Sequence, residues 1–360
     1  MDKIRYIVNV LIVALLFAAV AIQKDGRVVG LDVEALFRHD TEPVEVPIDS
    51  ELHDGTHVIN TSSLAKDVIG FGGLTPVVIQ IKEGRVFSVQ PLENSETPSF
   101  FDEVVRSGLF KRWDGLTVDE AAQLEVDVVS GATYSSTAVI QNIQRAMQHA
   151  ANVEINDGGL FANLELKVVA GIIVILLGVY ISLSKSKNKV LMTLQLALNV
   201  AVLGVWCGSF LSLSTFTAWM ANGVNLSMSL VGVVMLVAVL VMPLLGRKGT
   251  YCQLHCPMGS AQELLGRVPL IKIKIKPQVV SRLNNLRYYI LSSLMFLMWL
   301  GVGFELMNYE VFSAFLFGSA SEVVLVMAAL FLTLSLFIRK PYCRFVCPTG
   351  ALITITQKTK

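Results

Sequence analysis

Two stretches of this sequence repeat one another: Tyr251-Cys-Gln-Leu-His-Cys-Pro-Met-Gly259 and Tyr342-Cys-Arg-Phe-Val-Cys-Pro-Thr-Gly350, each a few residues after an Arg-Lys pair. Each offers two thiols four residues apart, a spacing that in a helical turn puts both on one face. Two such units supply four sulfurs from Cys252, Cys256, Cys343 and Cys347, the ligand count of a [4Fe-4S] cluster or of a structural zinc. A redox-active dithiol is the third chemistry open to them. The Cys-Pro endings and the basic flanks favour one shared iron-sulfur cluster. His255 occurs in the first unit only and reads as a surface residue, and Cys207 reads as a buried apolar thiol.

The second pattern is Asp127-Val-Val-Ser-Gly-Ala-Thr133. Ser130, Gly131, Ala132 and Thr133 form a small-residue turn that opens onto a helical pattern from Thr137. The unpaired N–H groups at such a helix start suit a phosphate, although the same letters also describe an ordinary helix cap. Upstream lie Gly70-Phe-Gly-Gly73, then a hairpin pattern from Val77 to Phe87 turning at Gly84, then Glu93-Asn-Ser-Glu-Thr-Pro98.

These groups sit on an apolar framework. Of 360 residues 53% are hydrophobic and 16% charged, against about 25% charged in an ordinary soluble domain, and mean hydropathy is +0.61. A formal net charge of +1 argues against nucleic acid as a partner. Residues 1–22 carry a basic start and an apolar run from Tyr6 to Ile22. This predicts a retained transmembrane anchor; a signal peptide ending near Ala19-Val-Ala21 is the alternative. Residues 23–160 have soluble composition. Residues 161–360 contain five further apolar stretches, Leu164 to Leu183, Val190 to Ser212, Leu226 to Leu245, Tyr288 to Leu306 and Ser321 to Ile338. The expected fold is thus a membrane protein with six transmembrane helices in total, an α+β exocytoplasmic domain and a polytopic α-helical bundle.

Orientation follows from Lys and Arg in the connecting loops. Lys185, Lys187 and Lys189 precede the third span; Arg247, Lys248, Arg267, Lys272, Lys274, Lys276, Arg282 and Arg287 lie between the fourth and fifth; the tail adds Arg339, Lys340, Arg344, Lys358 and Lys360. Leu213 to Asn225 and Met307 to Ala320 contain none. Both termini and the four cysteines are therefore expected on the cytoplasmic face of the cell membrane, with residues 23–160 outside.

From about Val68 to Met147 the order of motifs resembles the FMN-binding domain of NosR and of the C and G subunits of the Nqr and Rnf complexes. That resemblance implies FMN joined covalently through a phosphoester to Thr133 by a flavin transferase. It also implies further flavin-site residues at Asp127, Ser130, Gly131, Ala132, Gly72, Gly73, Glu96 and Thr97. One departure is Ser99, where many relatives have glycine after Glu-Thr-Pro. With the cysteine units added, the whole chain resembles the NosR/NirI-type membrane flavoproteins, and in layout the PceC/RdhC proteins of reductive-dehalogenase operons; the cysteine units also resemble those of NapH. The resemblance implies an electron-transfer flavoprotein that takes electrons from the menaquinol or ubiquinol pool and passes them through FMN to an exocytoplasmic terminal reductase, of the reductive-dehalogenase or nitrous-oxide-reductase type. A redox-sensing regulatory or maturation factor is the alternative.

A flavin outside and cysteines inside would be separated by something like the ~30 Å hydrocarbon layer. His39, His53, His57, His149 and His255 all fall outside the spans, which disfavours a histidine-ligated haem bridge. A quinone among the helices is the expected intermediate. On that arrangement a quinol could reduce the flavin even without the cysteines. Glu305, Glu310 and Glu322 are expected at helix ends in the membrane interface.

Overall fold

In a computed structural model of the chain, the described residues are 2–33, 47–52, 55–129, 131–151, 166–184, 188–224, 226–269, 273, 276–316 and 320–357. Ser130, His39, His53, Lys185, Lys187, Lys272, Lys274, Lys358 and Lys360 lie outside them, as does the side chain of Glu305. The chain divides into two units, residues 25–162 with 218–228, and residues 1–24, 163–217 and 229–360.

Helix α1 (Asp2–Asp25) opens the helical unit. The other unit begins with a ribbon of β1 (Arg27–Val28) and β2 (Leu31–Asp32), followed by a four-stranded antiparallel sheet in the order β3 (Asp49–Glu51), β4 (His57–Asn60), β5 (Val77–Lys82), β6 (Arg85–Pro91). Alternation along β5 buries Val77, Ile79 and Ile81 on one face. Glu83 and Gly84, both with positive φ, form the two-residue turn into β6, and a primed turn of this kind matches the twist of the strands it joins.

Helices α2 (Thr61–Leu64), α3 (Pro98–Arg106), α4 (Val118–Gln123) and α5 (Thr133–Ala150) complete this unit. α5 lies against β5 and the other three helices, burying Val139, Ile143, Ala146 and Met147. Thr61 Oγ1 accepts from Val77 N at 2.8 Å and lies 3.1 Å from Val77 O, stapling α2 to the start of β5. Trp113, fully buried in a 3-10 turn, fills the space beside β6.

The helical unit continues with α6 (Leu166–Leu183) and α7 (Lys189–Leu198), which passes into a π-helical stretch, Asn199–Trp206. Then come α8 (Leu213–Asn222), α9 (Leu226–Leu244), a π turn at Tyr251–His255, α10 (Pro257–Gly266), α11 (Pro277–Trp299), two 3-10 turns at Phe304–Tyr309 and Val311–Phe315, α12 (Glu322–Ser335), α13 (Pro341–Phe345) and α14 (Pro348–Thr356). α1 belongs to this unit: Tyr6 donates to Leu240 O at 2.9 Å, and Phe17 stacks near Phe216.

Among the described residues three helices, Lys3–Asp25, Leu166–Leu183 and Lys189–Trp206, are long and apolar enough to cross a membrane. Ser229–Leu244 and Glu322–Ser335 are apolar but shorter. The expected third span ends early because the chain leaves the helix at Cys207, ahead of Gly208 in the left-handed region. The expected fifth begins at Pro277, eleven residues before Tyr288, so its first half carries Arg282 and Arg287.

The placement of the cysteine loops departs from expectation. Pro257 packs on Gly204, where an added Cβ would meet its Cβ at 3.1 Å. Asn199 donates to Ser260 Oγ at 2.9 Å, and Arg267 donates to Thr193 Oγ1. α10 therefore runs beside α7 and its π extension, starting at the Gly204 end. At about 1.5 Å per helical residue, Gly204 is roughly 20 Å from Lys189. Cys256 thus lies toward the Gly204 end of this helix pair. The reason is local: proline forces the preceding residue out of helical geometry, so each loop dips inward and returns as a new helix.

The broken helices expose backbone groups, and two tyrosines take them up. Tyr251 Oη accepts from Leu211 N at 3.0 Å and lies 3.1 Å from Leu211 O; Tyr342 Oη accepts from Val311 N at 3.3 Å. Tyr251→Phe should lower the melting temperature of the purified chain by an amount equivalent to about 1–3 kcal/mol, since Leu211 N is left buried and unpaired. Tyr342→Phe, losing one longer bond, should cost less. Equal melting of Tyr251→Phe and wild type in a thermal scan would rule out this anchoring role.

Candidate functional site

Thr133 is the first residue of α5 and is half-buried. Its carbonyl accepts from Thr137 Oγ1 at 2.7 Å, which fixes the first turn. Gly131 before it has φ 86, open to glycine without strain. Ala132 occupies the N-cap and has no side chain to cap with, so the first-turn N–H groups keep the phosphate-binding capacity that a serine or aspartate cap would use. Ser136 Oγ instead accepts from Val129 N at 3.0 Å, holding the incoming strand against the helix. These residues fit a flavin phosphate at Thr133, the position the sequence singled out. Asp127 is exposed.

The other expected flavin-site residues form the support behind this turn. Glu96 is buried and its carboxylate accepts from Phe71 N at 2.7 Å, from Thr97 N at 3.2 Å and from Gly72 N. Burial pushes its pKa up, opposed by the Ser135 hydroxyl and the three backbone N–H groups. The Gly70–Gly73 loop can reach this carboxylate only without side chains: a Cβ at Gly72 would lie 2.6 Å from Thr97 N, and one at Gly73 2.6 Å from Ser95 Cβ. Gly72, Gly73, Glu96 and Thr97 thus lock two loops together beside the start of α5. No motif marked the rings gathered there. Phe71 stands 4.8 Å from Phe100 and 6.4 Å from Tyr134 between centroids, an apolar wall next to Thr133.

In the cysteine loops each pair straddles a helix break. Cys252 lies in the π turn and Cys343 in α13, while Cys256 and Cys347 are N-caps of α10 and α14 with ψ 121 and 113. The expectation of two thiols on one helical face is therefore corrected: the Cys-Pro bond turns the chain between them. Gly259 N and Gly350 N point at Cys256 Sγ and Cys347 Sγ at 3.5 and 3.1 Å, so each N-cap sulfur faces the positive end of a helix.

Burial pushes all four thiols up, Cys252 to about 12, and repulsion from neighbouring sulfurs adds to it at Cys252, Cys343 and Cys347. α10, which follows the first loop, packs against α13, which carries Cys343, so the two loops lie side by side. Thiols in this state ionise on binding a metal, which supplies the missing positive charge. Among the described residues no three His, Cys, Asp or Glu side chains converge closely enough to hold one metal ion. A four-iron cluster, in which each iron takes its own thiolate, does not need that convergence. The four cysteines fit a cluster better than a tetrahedral zinc.

Sequence reasoning misread the surroundings of these loops. His255 is fully buried, with Nε2 3.2 Å from Ile175 O, and burial holds its pKa down, so it is no surface residue. Gln195 and Asn199 both donate to Leu254 O, at 3.1 and 2.8 Å. Two amides four residues apart within an apolar run were the available signal. Glu310 is buried within the protein: Oε2 accepts from Leu213 N at 2.8 Å and Oε1 from Thr349 Oγ1, two residues past Cys347.

Residues 70–148 match the FMN-binding domain family, and residues 228–277 and 322–359 match the 4Fe-4S binding domain family, one cysteine loop in each stretch. The regulatory protein NosR of Pseudomonas aeruginosa is 34% identical over 127 residues, covering 32% of this chain and 18% of that protein. The regulatory protein NosR of Stutzerimonas stutzeri is 29% identical over 124 residues, covering 32% of this chain and 17% of that protein. The matched region is thus less than a fifth of the length of these curated relatives. No solved structure matches. Together these findings support an FMN-binding domain and an iron-sulfur cluster on a chain that is similar in part to NosR, and the apolar helices point to a membrane protein.

Glu96→Gln tests the loop lock. An amide offers one acceptor oxygen where the carboxylate offers two, so at least one of Phe71 N and Gly72 N is left unpaired at a cost of about 1–3 kcal/mol. The variant should melt earlier and hold less flavin, measured by thermal scan and by flavin absorbance after purification. Wild-type values for both would remove Glu96 from the account.

Proposed function

We propose that this chain is a membrane-bound electron-transfer flavoprotein that takes electrons from the quinol pool and passes them, through FMN linked covalently to Thr133, to an exocytoplasmic reductase. The observation that carries the reading is the combination on one chain of the uncapped α5 start at Thr133 with two paired-cysteine loops whose N-cap thiols, Cys256 and Cys347, are buried. FMN exchanges one or two electrons, and an iron-sulfur cluster exchanges one.

The residues of the chain supply the rest. Thr133 offers the hydroxyl for the phosphoester formed by a flavin transferase, Gly131 leaves the approach open, and Phe71, Phe100 and Tyr134 provide an apolar surface for a planar ring system. Around the cysteines, Tyr251, Tyr342 and Glu310 hold the loops in place. Quinone, of either the menaquinol or the ubiquinol type, is the electron donor from lipid.

The second reading is a redox-sensing regulatory or maturation factor. It is favoured by the description of both relatives as regulatory proteins.

Thr133→Val should keep the fold and abolish covalent flavin, because a methyl group cannot form a phosphoester; in-gel flavin fluorescence after denaturation reads this directly. Fluorescence surviving in the variant would disprove the linkage. In membranes holding the wild-type chain, a quinol analogue should bleach the flavin absorbance within a single mixing experiment. A flavin that stays oxidised with the quinol and yet responds to ambient potential would favour the sensing role.

A further inference from the structure

Acidic residues are scarce in the helical part of the sequence. From Leu166 to Phe304 there is a single Asp or Glu, Glu263, and from Val323 to Lys360 there is none. Three cations gather around that one carboxylate. Arg339 Nη2 lies 3.0 Å from Glu263 Oε1, Lys340 Nζ 3.3 Å from Oε2 and Arg267 Nε 3.9 Å from Oε1. One negative charge against three positive leaves the cluster with cationic charge in excess, and the Arg339 side chain is still 74% exposed.

The lysine joins this cluster against backbone strain. The two cysteine loops align without a gap from Gly249 to Gly259 and from Lys340 to Gly350, so Lys340 stands opposite Gly249, and both have left-handed backbone, with φ 49 and 70. That conformation is free for glycine and strained for a residue with a Cβ, and such outliers persist where the surroundings use the side chain. A carboxylate already met by two arginines does not call for a third cation; a second anion does. The depth of the cluster indicates its source. Arg267 donates to Thr193 Oγ1, one turn inside the Lys189 start of a helix long and apolar enough to cross a membrane. Val326 and Leu330 on α12 and Phe337 beyond its end are exposed, an apolar surface that leads along the chain to Arg339.

We infer that Glu263 gathers Arg267, Arg339 and Lys340 into a binding site for the headgroup phosphate of an anionic phospholipid whose acyl chains lie along α12. Basic sites between membrane helices take anionic headgroups in this way. Both parts of such a lipid are met: the guanidinium forks and the ammonium suit a phosphate, and the exposed valine, leucine and phenylalanine suit an acyl chain. Free inorganic phosphate matches only the first part.

The test uses the full-length chain, purified in detergent and stripped of lipid, with phosphatidylglycerol, phosphatidylcholine of the same acyl chains and inorganic phosphate as probes. Native mass spectrometry counts what stays bound, and a thermal scan reads the protection each probe gives. Wild type should bind phosphatidylglycerol more tightly than phosphatidylcholine, and the preference should fade as salt rises. In Arg339→Gln and in Lys340→Gly the affinity for phosphatidylglycerol should fall about fivefold, the equivalent of ~1 kcal/mol for one cation near a membrane surface, with phosphatidylcholine binding unchanged. Lys340→Gly installs the residue that the first loop already uses, so without lipid it should melt no lower than wild type, which separates loss of binding from loss of fold. Equal binding of the two lipids by wild type, or a preference that survives both substitutions, overturns the proposal. Protection by inorganic phosphate equal to that by phosphatidylglycerol overturns the assignment to lipid.

Discussion

A helix broken inside an apolar core leaves backbone N–H and C=O groups that water cannot reach, and each must find a partner in the protein. The cysteine loops depend on this constraint. Proline after Cys256 and Cys347 breaks the chain at the point where the second thiol of each pair must turn. The loose ends are taken up by side chains from other elements: Tyr251 and Tyr342 on Leu211 and Val311, Gln195 and Asn199 on Leu254, Glu310 on Leu213. Without these partners a four-thiol site could not be built from two short motifs.

The same contacts show how the site is duplicated. In each half a long helix is followed by a bent segment, then by α8 and α9 in the first and by α12 in the second, and then by a Tyr-Cys loop whose tyrosine returns to the bent segment of its own half. Glu310 crosses between halves, joining the second bent segment to the start of α8 and to Thr349 beside the second loop. The halves differ where chemistry can use a difference. Asn199 has Ser260 as a partner in the first, and Lys340 replaces glycine in the second.

Much of this was legible in the sequence, and the failures have a common cause. The β5–β6 hairpin followed from alternation and a Glu-Gly turn, and α5 from its apolar spacing, because both signals are local. The repeated cysteine motif was equally plain. Its place beside α7 was not, since charge in loops orients a chain across a membrane but does not say which segments dip inward and return. For the same reason His255 and Glu310 were placed at the surface or interface; their burial comes from Ile175 and Thr349, partners 80 and 39 residues away. Glu96 was found as a motif letter, yet its work as a clamp on Phe71 and Gly72 depends on loop geometry that spacing does not encode.

The central claim is that both loops build one shared iron-sulfur site. Iron and acid-labile sulfide, measured on anaerobically purified wild type and on Cys256→Ser and Cys347→Ser, test it most directly. The account predicts about four iron and four sulfide per wild-type chain, with nearly complete loss of both in either single variant. Zinc in place of iron, or a cluster surviving in one loop after the other is altered, would contradict it.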